Sequence, residues 1–215
     1  KFVDTAILYA KGGNGGNGCT SFRREANVPM GAPDGGDGGD GGSVILKGSK
    51  DQDSLVDIFF VPHRRAEPGM HGKGRQLYGR CGKNNIVTVP RGTQVFDALT
   101  GELLGDVVED GQEFTVAKGG KRGLGNIHWK TSTNRAPTTN TPGEKGEEKK
   151  LRLELKIIAD IGLVGFPNAG KSSLLAVLSD AHPKIAPYPF TTLNPIIGSM
   201  ALDAYHRITI ADIPG

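Results

Sequence analysis

Between Gly12 and Gly42, twelve of 31 residues are glycine, in runs such as Gly12-Gly13-Asn14-Gly15-Gly16-Asn17-Gly18 and Gly35-Gly36-Asp37-Gly38-Gly39-Asp40-Gly41-Gly42. A flexible linker is the plain reading of such a stretch. The strict Gly-Gly-X period argues against it, because three residues make one turn of a polyproline-II helix. Only glycine lets such helices pack side by side at close range, so the pattern predicts a single-chain bundle of short glycine-rich helices. Collagen is excluded, since the period is brief and proline does not fill it. Asp34, Asp37 and Asp40 outline one partial copy of a calcium repeat, which is weak ground for a metal site.

Around this stretch the chain reads as short strands. Phe2 to Ala10 suits a first strand, and Val44–Lys47, Ile86–Val89, Gln94–Asp97, Leu103–Val107 and Phe114–Ala117 follow. Thr100-Gly101 and Asp110-Gly111 mark hairpin turns. Strands this short at this spacing predict a small barrel or sandwich. Two basic stretches lie between them as loops. One carries Arg64, Arg65, Lys73, Arg75, Arg80 and Lys83 with Glu67 as its one acid; the other carries Lys118, Lys121, Arg122, Lys130 and Arg135 around His128 and Trp129, with no acid. Solvated surface is the ordinary account of charge runs. Acid-poor segments that mix Arg, Lys, Gly and an aromatic point instead to RNA phosphates and bases. Arg135 to Lys150 reads as a polar surface connection, and alternating Leu151, Leu153 and Leu155 as the last strand of a first domain ending near Lys156.

The remainder has a different character. Gly165-Phe166-Pro167-Asn168-Ala169-Gly170-Lys171-Ser172 fits G-x-x-x-x-G-K-[ST], the phosphate-binding P-loop. Ile157 to Val164 predicts a buried parallel strand before it. Ser172 to Leu178 predicts a helix after it, with Leu174, Leu175 and Leu178 on one face. Such a turn converges backbone N–H groups on a di- or triphosphate. Lys171 would neutralise the β- and γ-phosphates, and the Ser172 hydroxyl would coordinate Mg²⁺. A proline-punctuated loop, Pro187 to Pro195, and an apolar strand, Arg207 to Ala211, lead to Asp212-Ile213-Pro214-Gly215, which is D-x-x-G at a strand end. In that order these elements read as an acid that holds Mg²⁺ through water and a glycine that senses the γ-phosphate.

Composition narrows the setting. A net charge of +3 is too mild for a global field, so a polyanion must be met by local patches. Cys19 and Cys81 stand far apart with no C-x-x-C, which suggests a reducing compartment without zinc or a disulfide framework. No apolar run approaches the roughly 18 residues of a membrane span, and no signal peptide opens the chain, so cytoplasm is expected.

The spellings G-F-P-N-A-G-K-S, Y-P-F-T-T-L and D-I-P-G resemble the Obg family of GTPases. So does the first domain, in Phe2-Val3-Asp4, Gly15 to Glu25, Pro33 to Gly39, Lys118-Gly119-Gly120 and Gly123-Leu124-Gly125-Asn126. The resemblance implies an Obg fold over residues 1–156, glycine-rich helices on a small β-barrel, followed by the first part of a Ras-like α/β GTPase domain over 157–215. It further implies a monomeric factor in assembly of the large ribosomal subunit that binds GTP/GDP with Mg²⁺ and contacts rRNA. Residues carried over as nucleotide-binding are Gly165 to Ser172, then Phe190, Thr191, Thr192, Leu193 and Asn194, then Asp212, Ile213, Pro214 and Gly215.

Within that set Lys171, Thr192 and Asn168 take catalytic roles, and Ser172 and Thr192 bind the metal, ahead of the adjacent Thr191. Several similar GTPases carry the asparagine of Asn168 and use K⁺ there; the alternative is that Asn168 caps its own turn. With no arginine finger evident in the switch loop, hydrolysis is expected to be slow without a partner. The N-K-x-D element that specifies guanine is not among these 215 residues, so a longer parent chain and an inactive fragment are expected. A P-loop ATPase and a nucleotide-free RNA-binding scaffold are the competing readings.

Overall fold

The structure, a computed structural model, describes residues 3–24, 31–156, 159, 161–165, 170–179, 184–185, 196–201 and 207–212. It divides into two compact units, Lys1–Lys156 and Ile157–Gly215.

The glycine stretch is an ordered scaffold and not a linker. Six extended segments, residues 12–19, 35–42, 67–73, 77–83, 118–126 and 141–147, run side by side and exchange backbone hydrogen bonds every third residue. Gly13, Gly16 and Cys19 donate to the carbonyls of Gly42, Gly39 and Gly36 at 2.8–2.9 Å. Gly12, Gly15 and Gly18 donate to Glu147, Glu144 and Thr141, and Gly38 and Gly41 to Gly123 and Gly120. The approach leaves no room for side chains: a Cβ on Gly16 would lie 1.9 Å from the Met70 carbonyl oxygen, and one on Gly38 1.9 Å from that of Gly16. Residues 12–19 and 35–42 each bond to four neighbouring segments.

Two expectations change here. The basic stretches, expected as loops, supply the segments at 67–73, 77–83 and 118–126, and the expected surface connection supplies 141–147. The acids of the Gly-Gly-X runs serve the bundle itself. Asp34 Oδ2, Asp37 Oδ1 and Asp40 Oδ1 accept the backbone N–H groups of Arg75, Gly125 and Arg122 at 3.1, 2.8 and 2.9 Å. Asn14 and Asn17 do the same for Gly146 and Gly143. The X residue thus closes the hydrogen bonds that glycine cannot. Glu147 accepts the Lys118 N–H in the same way, which holds its carboxyl below the ordinary range.

The strands are β1 (Thr5–Lys11), β2 (Val44–Ser49), β3 (His63–Arg65), β4 (Asn85–Pro90), β5 (Thr93–Asp97), β6 (Leu103–Val107), β7 (Glu113–Ala117) and β8 (Glu148–Leu155), with a short helix α1 (Val56–Phe60). They form a five-stranded sheet, β3-β1-β8-β5-β6, and a three-stranded one, β4-β2-β7. No barrel closes among the described residues. Instead the alternating apolar residues of both sheets, among them Leu8, Leu46, Val89, Val95, Leu151 and Leu153, meet in one core. Thr100-Gly101 is the expected hairpin turn, Gly101 at φ +74°. Asp110-Gly111 is a turn but not a hairpin, because β6 pairs with β5 and β7 with β2.

The second unit holds β9 (Ile161–Leu163), α2 (Lys171–Leu178), β10 (Lys184–Ile185), β11 (Ile196–Ala201) and β12 (Arg207–Asp212), with sheet order β10-β11-β12-β9. β9 pairs β12 in parallel, as a P-loop strand requires. It is not buried as expected: Ile161 is 44% and Val164 78% exposed, since β9 lies at the edge of the sheet. On α2 only Leu175 of the expected apolar face is fully buried, while Leu174 is half exposed.

Because the bundle is held by backbone proximity, its glycines differ sharply in tolerance. Gly38→Ala should destabilise the first unit by about 3 kcal/mol or more, through forced separation of segments. Gly101→Asn, at a positive φ with open space around it, should cost less than about 1 kcal/mol. Urea unfolding of the two variants checks the contrast, and equal midpoints would refute the packing account.

Candidate nucleotide-binding site

Gly170 stands immediately before α2 with φ +82°, a left-handed conformation that a Cβ would strain. That turn starts the helix at Lys171, so Lys171 and Ser172 occupy its first turn, where N–H groups lack intrahelical partners and the dipole favours an anion. The Lys171 ammonium donates to the carbonyl of Gly165 and so spans the P-loop from end to end.

The opposite wall comes from β12. The register Asp212↔Leu163 sets the last residue of that strand beside the end of β9, two residues before Gly165. Ligands in α/β sheets bind at such carboxyl ends of strands. Asp212 is only 6% exposed, and its Oδ2 accepts the Ser172 hydroxyl at 2.5 Å. Its Oδ1 is buried with no hydrogen-bond partner among the described residues. A buried carboxylate half satisfied by one hydroxyl is an acceptor set suited to a hard cation with oxygen ligands.

Thus Gly165, Gly170, Lys171, Ser172 and Asp212, from three separate stretches of sequence, converge. The remaining site residues, Phe166, Pro167, Asn168 and Ala169 of the P-loop, Phe190, Thr191, Thr192, Leu193 and Asn194 of the switch loop, and Ile213, Pro214 and Gly215, lie outside the described residues. Among the described residues no cluster of three or more His, Cys, Asp or Glu could hold a metal. Among the described residues no helix is long and apolar enough to cross a membrane.

In the first unit, Arg65, Lys73, Arg75, Arg80, Lys83, Lys118, Lys121, Arg122, Lys130 and Arg135 are exposed. Arg64 is the exception, partly buried with its Nε shielded. Two residues named in the sequence have an anchoring role that the sequence reading did not assign. Asn126 is fully buried and ties three segments together: its Oδ1 accepts the Gly35 N–H, and its Nδ2 donates to the carbonyls of Ser21 and Pro137. His128 Nε2 meets both carboxylate oxygens of Asp37, at 2.9 and 3.1 Å. The Gly-Leu-Gly-Asn spelling before Asn126 was the available signal.

Comparison with known proteins agrees with this division. A family model described as GTP1/OBG matches residues 3–157, and one described as 50S ribosome-binding GTPase matches residues 160–215. The chain is 54% identical, over its whole length, to a GTPase Obg of Persephonella marina and 53% identical to one of Prosthecochloris aestuarii. It spans 63% and 66% of those two proteins, somewhat less than two thirds of their length. With the first of these models covering most of its residues, the chain belongs to the GTP1/OBG family.

Proposed function

We propose that this chain is the ribosome-directed domain and the first part of the nucleotide-binding domain of a GTP-hydrolysing switch that acts in assembly of the large ribosomal subunit. The observation that carries the reading is the convergence of Lys171, Ser172 and Asp212 around the turn at Gly170. The six glycine-rich segments are read as polyproline-II-type helices that carry basic side chains to rRNA, and the protein as a cytoplasmic monomer.

Lys171 and the P-loop amides hold the phosphates. Ser172 and Thr192 would hold Mg²⁺, with Asp212 supporting it through water; the metal supplies neutralisation of charge on the phosphates. Gly215 reports the γ-phosphate, and ordering of the switch residues by GTP sets affinity for the ribosome. Asn168 offers a side-chain carbonyl for K⁺ near the phosphates, where positive charge stabilises the transition state in place of an arginine finger.

Three outcomes test this in the full-length protein. Lys171→Ala or Ser172→Ala should lower affinity for a non-hydrolysable GTP analogue with Mg²⁺ by about 100-fold or more, since each removes a charged or metal contact. Isothermal titration reads this, with ATP as competitor, and wild-type affinity in both variants would sink the site. Turnover should rise when K⁺ replaces Na⁺ at constant ionic strength, and Asn168→Ala should erase the difference; equal rates in the two salts return Asn168 to a turn residue. Reversing the charges of Lys121, Arg122 and Lys130 should weaken cosedimentation with large ribosomal subunits while leaving nucleotide affinity intact. The salt dependence should flatten by roughly 0.7 to 0.9 in slope per lost phosphate contact.

A further inference from the structure

A cleft of about 770 Å³ opens in the first unit, lined by Phe22, Arg23, Arg24, Asp34, Arg75 and Gln76 among others. Two unfavourable features meet there. Arg75 and Gln76 have left-handed backbone, φ 60° and 57°, and are the only non-glycine residues with positive φ among those described. Asp34, 8% exposed, leaves its Oδ1 buried without a hydrogen-bond partner among the described residues.

The same aspartate imposes the strain. Its Oδ2 accepts the Arg75 N–H at 3.1 Å and its carbonyl accepts the Gln76 N–H at 2.7 Å, while Lys73 N–H donates to the Leu77 carbonyl and closes the turn. Backbone strain persists where the surroundings over-determine it, and it gathers at ligand clamps.

The lining specifies a ligand. Guanidinium forks suit phosphate oxygens, and the partly buried Phe22 offers a ring on which a base can stack. The volume falls within the roughly 300–1,000 Å³ that enclose one small molecule, too little for a double helix. We propose that this cleft holds one unpaired nucleotide of an RNA strand. Its base lies against Phe22 and its phosphate between Arg24 and Arg75, and Asp34 is the positioning residue that sets the Arg75-Gln76 turn. This deepens the rRNA reading above and rests on it.

The sign of one substitution separates a built pocket from a charged patch. Removing a carboxylate from a simple basic patch strengthens anion binding, whereas removing the group that sets the turn weakens it. Fluorescence anisotropy with the full-length protein, a labelled single strand of about 12 nucleotides and the same strand annealed to its complement reads the difference. The single strand should bind about 10-fold more tightly than the duplex, and Phe22→Ala should remove that preference. Asp34→Ala should weaken the single strand several-fold, while Asp34→Asn, which keeps an oxygen for the Arg75 N–H, should bind it at least as well as the wild type.

If Asp34→Ala melts far below the wild type, Phe22→Ala and Arg24→Gln carry the test. Equal binding of both RNA forms, untouched by Phe22→Ala, overturns the pocket and leaves the RNA reading standing. Binding of neither form overturns both. Displacement of the RNA by excess free GMP or AMP, with the same dependence on Phe22, would assign the cleft to a free nucleotide and overturn its assignment to RNA.

Discussion

The first unit rests on a contact between main chains: a backbone N–H reaching a carbonyl across a gap too narrow for a Cβ. The sequence cost of that contact depends on how many neighbours a segment has. Segments 12–19 and 35–42 bond to four others each, and both carry glycine at two positions of every three. Segments 77–83 and 141–147 bond to two others each and carry one glycine in three, Gly79 and Gly82, Gly143 and Gly146; 67–73, which bonds to three, carries the same share in Gly69 and Gly72. Two glycines in three thus mark the two segments with the most neighbours.

A structure held this way has little apolar surface of its own to bury, so its polar groups must be satisfied almost completely. The X residues meet that need from within the repeat, as Asp37 does for Gly125 and Asn17 for Gly143. Asn126 extends the same logic to the segment ends, binding three stretches through one amide. Ends tied down so thoroughly can carry local strain. The left-handed pair Arg75-Gln76 sits against Asp34, itself next to Gly35, whose N–H Asn126 receives. Strained turns on loosely held loops would relax; here relaxation would break bonds in neighbouring segments.

Legibility followed the same physics. The two inner segments could be read because two glycines in three is a rare composition. The others could not, because a single G-x-x-G is common, and charged residues beside the glycines imitate a solvated loop. Strands β2 and β4 to β7 were legible to within a residue or two from alternating apolar residues, β1 and β8 less closely, and β10 and β11 not at all; sheet membership was not legible either. Asp110-Gly111 has the chemistry of a hairpin turn, yet β6 and β7 belong to different sheets, since pairing is decided by partners far along the chain. β3 was invisible: three residues, His63-Arg64-Arg65, have no apolar pattern and are placed by parallel pairing to β1. For the site, the motif itself named Gly165, Gly170, Lys171 and Ser172. Only the fold could show that Asp212 touches Ser172 across forty positions.

That contact has a direction. Ser172 offers one proton, and Asp212 is buried with a second oxygen that nothing among the described residues satisfies. A hydroxyl neutralises no charge, and the Asp212 side chain is buried at the carboxyl end of a parallel strand pair, in a setting where water screens poorly. The Lys171 ammonium donates to the Gly165 carbonyl, at the other end of the loop. A divalent cation held by the Ser172 oxygen would change the balance: the hydroxyl would turn its lone pair to the metal and its proton away, and the carboxylate would gain a partner of opposite charge. Anions such as phosphate alone would add repulsion to Asp212, so the residues favour phosphate together with a cation over phosphate by itself.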